Sequence, residues 1–241
     1  MSIAENLRRV EAEIADACRR VNRSPDEVTL MAVSKVHPVE CMVEAYAAGQ
    51  RLFGENRVQE FQIKAPVLRA QVEAAAGQRE AGGQVECHLI GPLQSNKTNK
   101  AAELFDAVDT IDDLRIAQRL ETAAAALRKR LPVLVEVKLS HEESKHGVPP
   151  EALALLLDQM KGFSQIVVKG LMTVPPWSED PETARPYFRE LRRLRDEMVK
   201  EHPTVVELSM GMSNDFGVAI EEGSTCVRIG TAIFGRRVSP R

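Results

Sequence analysis

Residues 206–235, VELSMGMSNDFGVAIEEGSTCVRIGTAIFG, contain two short apolar runs that each stop abruptly at small residues. Val206-Glu207-Leu208 runs into Ser209-Met210-Gly211-Met212-Ser213, and Cys226-Val227-Arg228-Ile229 runs into Gly230-Thr231. Small residues between a strand and a helix leave backbone N–H groups free to cradle a phosphate. Two such cradles in succession, late in the chain, match the loops after the seventh and eighth strands of a (β/α)8 barrel, where that fold binds phosphate. A phosphorylated ligand in an α/β barrel is the first expectation.

The rest of the chain has the matching rhythm. Strand-like apolar runs fall at 28–34, 51–53, 85–90, 107–111, 132–139, 166–173, 204–208 and 225–229. Helical patterns lie between them, among others at 39–48, 114–128, 151–160 and 181–200, the last with Tyr187, Leu191, Leu194 and Met198 on one face. Alternating strands and helices predict a parallel sheet, and the strand count predicts a closed barrel. Ile3, Leu7, Val10, Ile14, Ala17 and Val21 recur at three- and four-residue steps, adding an extra N-terminal helix that ends at Ser24-Pro25. The chain has 241 residues, close to the ~250 of a bare barrel, so residues 1–241 read as one barrel domain. Residues 70–84, AQVEAAAGQREAGGQ, break the rhythm and read as a surface loop or frayed helix end.

Charge is high but balanced, with a formal net charge of −3, and no basic stripe offers a nucleic-acid surface. Arg192, Arg193 and Arg195 cluster beside Glu190, Asp196 and Glu197, as on a solvated helix face. The four cysteines, Cys18, Cys41, Cys87 and Cys226, lack metal-ligand spacing and read as reduced thiols, with Cys87 left open. No run reaches membrane-spanning length, and the N-terminus has no signal-peptide core. A cytoplasmic location follows as the expectation.

Active-site groups of such barrels come from the C-terminal ends of the strands. Those ends supply Ser34-Lys35, Gly54-Glu55-Asn56, His88, Gly91-Pro92-Leu93-Gln94, Lys138 and Met172-Thr173, besides the two cradles. Lys35 follows the apolar run 30–34. A lysine held at a buried strand end loses hydration, which lowers its pKa and exposes a nucleophilic amine suited to Schiff-base formation. A phosphate cradle with such a lysine fits either pyridoxal phosphate or a sugar-phosphate aldolase. Arg228 alternates with Val227 and Ile229 and so points into the barrel, where a guanidinium can donate to a pyridine nitrogen; pairing with Glu136 is the alternative. Glu55 reads as a cap, an ion-pair partner or a base. His37, His141 and His146 read as loop residues, and Trp177, after the sixth strand, as rim packing or a cover for the pocket mouth.

The segments 32–35 (AVSK), 53–60 (FGENRVQE), 88–97 (HLIGPLQSNK), 170–172 (GLM), 208–213 and 227–235 resemble, in order and over essentially the whole chain, the pyridoxal-phosphate homeostasis protein family. That resemblance implies a single barrel of the alanine-racemase N-terminal-domain type, without the racemase's added β-domain. It implies pyridoxal 5'-phosphate as cofactor, with Lys35 as the Schiff-base lysine. It carries Ser209, Gly211, Ser213, Gly230 and Thr231 over as phosphate-binding positions, Arg228 as the residue facing the pyridine nitrogen, and Asn56 and His88 as ring-pocket residues. Lys145 matches a family loop lysine whose role stays open. The chain departs from the family pattern at Cys87, where an aromatic residue is usual, and at Pro92, often His or Arg.

Two classes of function compete. A racemase needs a base on each face of the substrate, and alanine racemases take the second, a tyrosine, from the added domain of a partner subunit. Here the only tyrosines, Tyr46 and Tyr187, fall in outer helices, and Arg228 at the ring nitrogen would weaken the electron sink. A non-catalytic carrier that holds the cofactor for homeostasis is the preferred expectation, with a weakly active amino-acid racemase as the alternative and the aldolase third. PLP-dependent apoenzymes are the implied recipients, and a monomer is expected.

Overall fold

Each of the eight expected runs becomes a strand: β1 Thr29–Val33, β2 Leu52–Glu55, β3 Glu86–Leu89, β4 Ala107–Ile111, β5 Leu131–Glu136, β6 Ile166–Met172, β7 Glu207–Ser209 and β8 Cys226–Ile229. The computed structural model describes residues 1–76, 84–140, 142 and 146–235. All neighbouring strands pair in parallel, and β8 closes on β1, so the sheet is a barrel in strict sequence order. Boundaries shift where local pattern is weakest. The second strand extends through Gly54 to Glu55, and the seventh begins at Glu207 rather than 204.

The helices are α1 Ile3–Arg20, α2 Val39–Ala47, α3 Val58–Ala76, α4 Thr98–Leu104, α5 Leu114–Ala126, α6 Pro150–Met160, α7 Arg185–Met198, α8 Phe216–Glu221 and α9 Thr231–Phe234. Residues 70–76, expected as surface loop or frayed helix end, form the end of α3, because Phe61, Ala65 and Leu68 bury one face and the alanines that follow favour helix; residues 77–83 lie outside the described residues. On α7 the buried stripe is Phe188, Leu191 and Leu194, with Tyr187 only half-buried.

The last two helices, α8 and α9, have six and four residues. These are too short to cover the barrel wall beneath them. The extra helix α1 supplies the cover: Leu7, Val10, Ile14, Ala17 and Cys18 are buried, and α1 packs against α8, α9 and α2. Ser2 and Glu5 form a capping box at its start. Asn6 Nδ2 donates to the Ile233 carbonyl at 2.9 Å, and Arg20 pairs with Glu221 at 2.7 Å.

Helix α5 is tied to β6 through one carboxylate. Glu121 accepts from the backbone N–H groups of Ser164 (2.9 Å), Gln165 (3.0 Å) and Ile166 (2.8 Å). Burial alone would push this carboxyl up, but the three donors hold it below its ordinary value. A depressed folded pKa means that the contribution is complete above the unfolded value of about 4.3 and is lost as the pH falls through the folded one. Glu121→Ala is expected to cost about 1.5 kcal/mol at neutral pH. Urea titrations in progressively more acidic buffer should show that cost shrinking; a cost indifferent to pH would assign it to packing.

Candidate functional site

A cavity of about 480 Å³ opens at the C-terminal mouth of the barrel. Six of the nine expected site residues lie on its wall. Lys35 comes from the loop after β1, Asn56 from the end of β2, Ser213 from the loop after β7, Arg228 from β8, and Gly230 and Thr231 from the start of α9.

Lys35 is half-buried and sits just beyond Val33, the last residue of β1. Its neighbour Val36 has φ +61°. A β-branched residue in the left-handed region is strained, by about 1–3 kcal/mol, and persists only where its surroundings hold it. The Val36 N–H donates to Glu60 Oε1 at 2.6 Å.

Arg228 is 4% exposed and fixed on both arms: Nη1 donates to Ser209 Oγ at 2.7 Å and Nη2 to the Thr173 carbonyl at 2.8 Å. Burial pulls its guanidinium below the ordinary value, against the nearby carboxylates of Asp109, Glu136 and Asp215. Ser209 is fully buried and absent from the cavity wall. It faces inward one step too deep and is used to hold Arg228. Gly211 is displaced too. It adopts φ +96°, and a Cβ there would stand 2.6 Å from Ala219 Cβ, so its glycine lets the loop pack on α8. Its carbonyl accepts from the Arg228 N–H at 2.9 Å.

His88 is the third expected residue that stands off the wall. Gly54 lies opposite His88 in the β2–β3 register, so the imidazole sits two residues below the level of Asn56. Ile90 reaches the cavity in its place. Deeper in the barrel, His88 Nδ1 lies 3.2 Å from Asp109 Oδ1. Burial would lower this imidazole, but the Asp109 charge and hydrogen bond outweigh it and the net shift is upward.

Several wall residues escaped the sequence reading. Asp215 accepts from the Met212 N–H at 2.6 Å and shapes the loop that carries Ser213. Burial pushes its carboxyl up, against the Met212 N–H and Arg228. His146 lines the cavity although its polar loop read as bland, and Glu136 lines it too. The signal for Asp215 was its place just before a helix; for His146 there was none, because the loop's path is set by tertiary contacts. Trp177 also lines the mouth and is 74% exposed, so it is not packed into the rim. Gly91 permits the tight wall beside Asn56, since a Cβ there would lie 2.2 Å from the Asn56 carbonyl oxygen.

Glu55 is no base on this cavity. It points outward from β2 and pairs with Lys64 at 2.8 Å. Cys87 is buried on the same outer side, in the main apolar core. Tyr46 and Tyr187 sit on α2 and α7, away from the cavity wall. Arg193 pairs with Glu190 and Glu197 on the outer face of α7. Lys138, expected at the fifth strand end, is half-buried just past β5 but off the wall. Lys145 and His141 lie outside the described residues. Among the described residues no His, Cys, Asp and Glu group could hold a metal, and no helix is long and apolar enough to cross a membrane.

Similar proteins give this cavity a context. Residues 6–238 match the family described as alanine racemase, N-terminal domain. The pyridoxal phosphate homeostasis protein of Aquifex aeolicus is 41% identical over 238 residues, covering 98% of this chain and 99% of the relative. PipY of Synechococcus elongatus, solved with PLP bound, has a TM-score of 0.81 and 35% identity, over 97% of this chain and all of PipY. An alanine racemase of Clostridium difficile shares the fold alone, with a TM-score of 0.71 and 14% identity; 98% of this chain aligns to 58% of the racemase. Shared across nearly its full length with relatives of the same size, the barrel places this chain in the pyridoxal phosphate homeostasis protein family, within the wider alanine racemase N-terminal domain family.

Proposed function

We propose that this chain binds pyridoxal 5'-phosphate covalently through Lys35 and acts as a carrier of that cofactor, without turnover of its own. The observation that carries the reading is the joint presence of Lys35, Ser213, Gly230, Thr231 and Arg228 on one cavity wall. The cofactor's three recognisable groups each find a counterpart there: an amine for the aldehyde, small residues and backbone N–H groups for the phosphate, and a held guanidinium for the ring nitrogen. When bound, pyridoxal phosphate supplies an aldehyde that condenses with amines and a ring that withdraws electrons. Lys35 provides the amine, the loop after β7 and the start of α9 would hold the phosphate, and Arg228 is positioned by Ser209 and Thr173 before any ligand arrives. PipY, a relative of matching length, is described with PLP bound, which supports the same ligand here.

The carrier reading is favoured over the racemase by the tyrosines, which stand on outer helices, and by a guanidinium at the ring-nitrogen side, which disfavours a protonated pyridine. We read the 1–241 chain as one cofactor-binding barrel, monomeric and cytoplasmic, that hands pyridoxal phosphate to PLP-dependent apoenzymes. Four free cysteines agree with a reducing compartment, and the exposed Trp177 at the mouth agrees with an accessible site.

Titrating the purified chain with pyridoxal phosphate tests the reading. A visible absorption band should grow to saturation at one equivalent, borohydride should fix the cofactor mass on the protein, and alanine should not racemise. A chain that cannot be loaded would overturn the cofactor reading, and turnover of an amino acid would overturn the carrier reading.

A further inference from the structure

Behind Lys35, on the opposite side of the strand layer from the cavity, lies a buried polar cluster that the proposed function leaves unused. Lys64, on α3, is 8% exposed, and Glu55 and Ser34 are fully buried. Lys64 Nζ reaches three acceptors: the Ser34 carbonyl at 3.0 Å, Glu55 Oε1 at 2.8 Å and Glu60 Oε1 at 2.6 Å. An ammonium has three protons, so these contacts exhaust it. Ser34 Oγ also donates to Glu55 Oε1 at 2.8 Å, and the Val36 N–H donates to Glu60 Oε1 at 2.6 Å. Both residues that flank Lys35 are thereby tied to one ammonium, Ser34 directly and through Glu55, Val36 through Glu60.

We propose that Lys64 is a positioning residue for Lys35, holding the loop that carries it through a clamp built with Glu55 and Glu60. This deepens the proposed function and rests on Lys35 being the cofactor-binding lysine. Lys64, Glu55 and Glu60 are absent from the cavity wall, so their role toward the site passes through the Lys35 loop. The clamp acts where restraint is needed, since Val36 has the left-handed backbone that a β-branched side chain avoids. Nor is there a substitute for Lys64 within the cluster. Glu55 Oε2 is buried without a hydrogen-bond partner, so its whole compensation passes through Oε1, to Lys64 and Ser34. A Lys64 side chain replaced by an apolar one would leave Glu55 without its cation and both flanks of Lys35 untied.

The test compares two ligands on wild type, Lys64→Met and Lys64→Arg. Pyridoxal phosphate reports the bond to Lys35; pyridoxine 5'-phosphate has no aldehyde and reports the rest of the cavity. A misplaced amine should weaken pyridoxal phosphate binding by about tenfold or more in Lys64→Met, with pyridoxine 5'-phosphate affinity little changed and partial recovery in Lys64→Arg. Equal losses for both ligands would mark Lys64 as merely structural, and unchanged affinity for both would remove the clamp; either overturns the proposal. Should Lys64→Met not fold, Glu60→Ala cuts the Lys64–Glu60–Val36 tether and leaves the Lys64 contacts to Ser34 and Glu55, and the same selective loss is expected, with no selectivity again overturning it. Failure of the underlying reading looks different: wild type itself would carry no borohydride-fixed cofactor on Lys35.

Discussion

Replacing Lys35 by Ala is expected to remove the borohydride-fixed cofactor from the peptide that contains residue 35, and to weaken pyridoxal phosphate binding by at least tenfold, about 1.4 kcal/mol. The amine is the one group at the end of β1 that can close a covalent bond to the aldehyde, and the side chain is held half-buried on the cavity wall. The fold should be untouched, because the residue lies beyond the last hydrogen-bonded position of β1 and the core beneath it is unchanged. Pyridoxine 5'-phosphate should bind the variant about as well as wild type. Peptide mass mapping after reduction, with a thermal melt as control, decides the matter. An adduct that persists at full strength on another residue would show that the cavity offers a second amine of equal standing.

Arg228→Ala is expected to act on stability before it acts on ligand. The guanidinium is the cation at the centre of the barrel, with Ser209 Oγ and the Thr173 carbonyl as its acceptors and the carboxylates of Asp109, Glu136 and Asp215 near enough to shift its titration. Removing it leaves those acceptors buried and opens a void, a loss of about 3–5 kcal/mol for a broken buried charge network. For a chain of this size that lowers the unfolding temperature by roughly 10 °C. Arg228→Lys keeps the charge but cannot serve both acceptors with a planar fork, so it should recover only part of the loss. A melt of Arg228→Ala within a degree or two of wild type would show that the inner acceptors find water or each other instead.

Much of this molecule is written locally. The eight strands, the alternating helices and the place of Gly230-Thr231 at the barrel mouth were legible because apolar runs, helical periodicity and small residues at strand ends act over a few neighbouring residues. The lysine at the end of β1 was legible for the same reason. Residues 70–76 left loop and helix end open because Ala, Gly and Gln content does not decide between them; the buried stripe of Phe61, Ala65 and Leu68 carries α3 onward and settles on the helix end. Ser209, Gly211 and His88 stand off the cavity wall for a different reason. Each was expected on the cavity because it closes or follows a strand, yet depth inside a barrel depends on the stagger between strands, and stagger is a property of pairs.

The sequence by itself determined a barrel of eight parallel strands, an added N-terminal helix, and a mouth lined by Lys35 and by the small residues Ser213, Gly230 and Thr231. Each of these follows from side-chain spacing along a single segment. Only the tertiary structure decided which inward residues reach the mouth, that Ser209 serves Arg228, and that α1 seals the wall left open by α8 and α9. It alone placed Lys64, carried on α3, behind Lys35. Those outcomes depend on the register of strand against strand and of helix against sheet, which packing settles once distant segments meet.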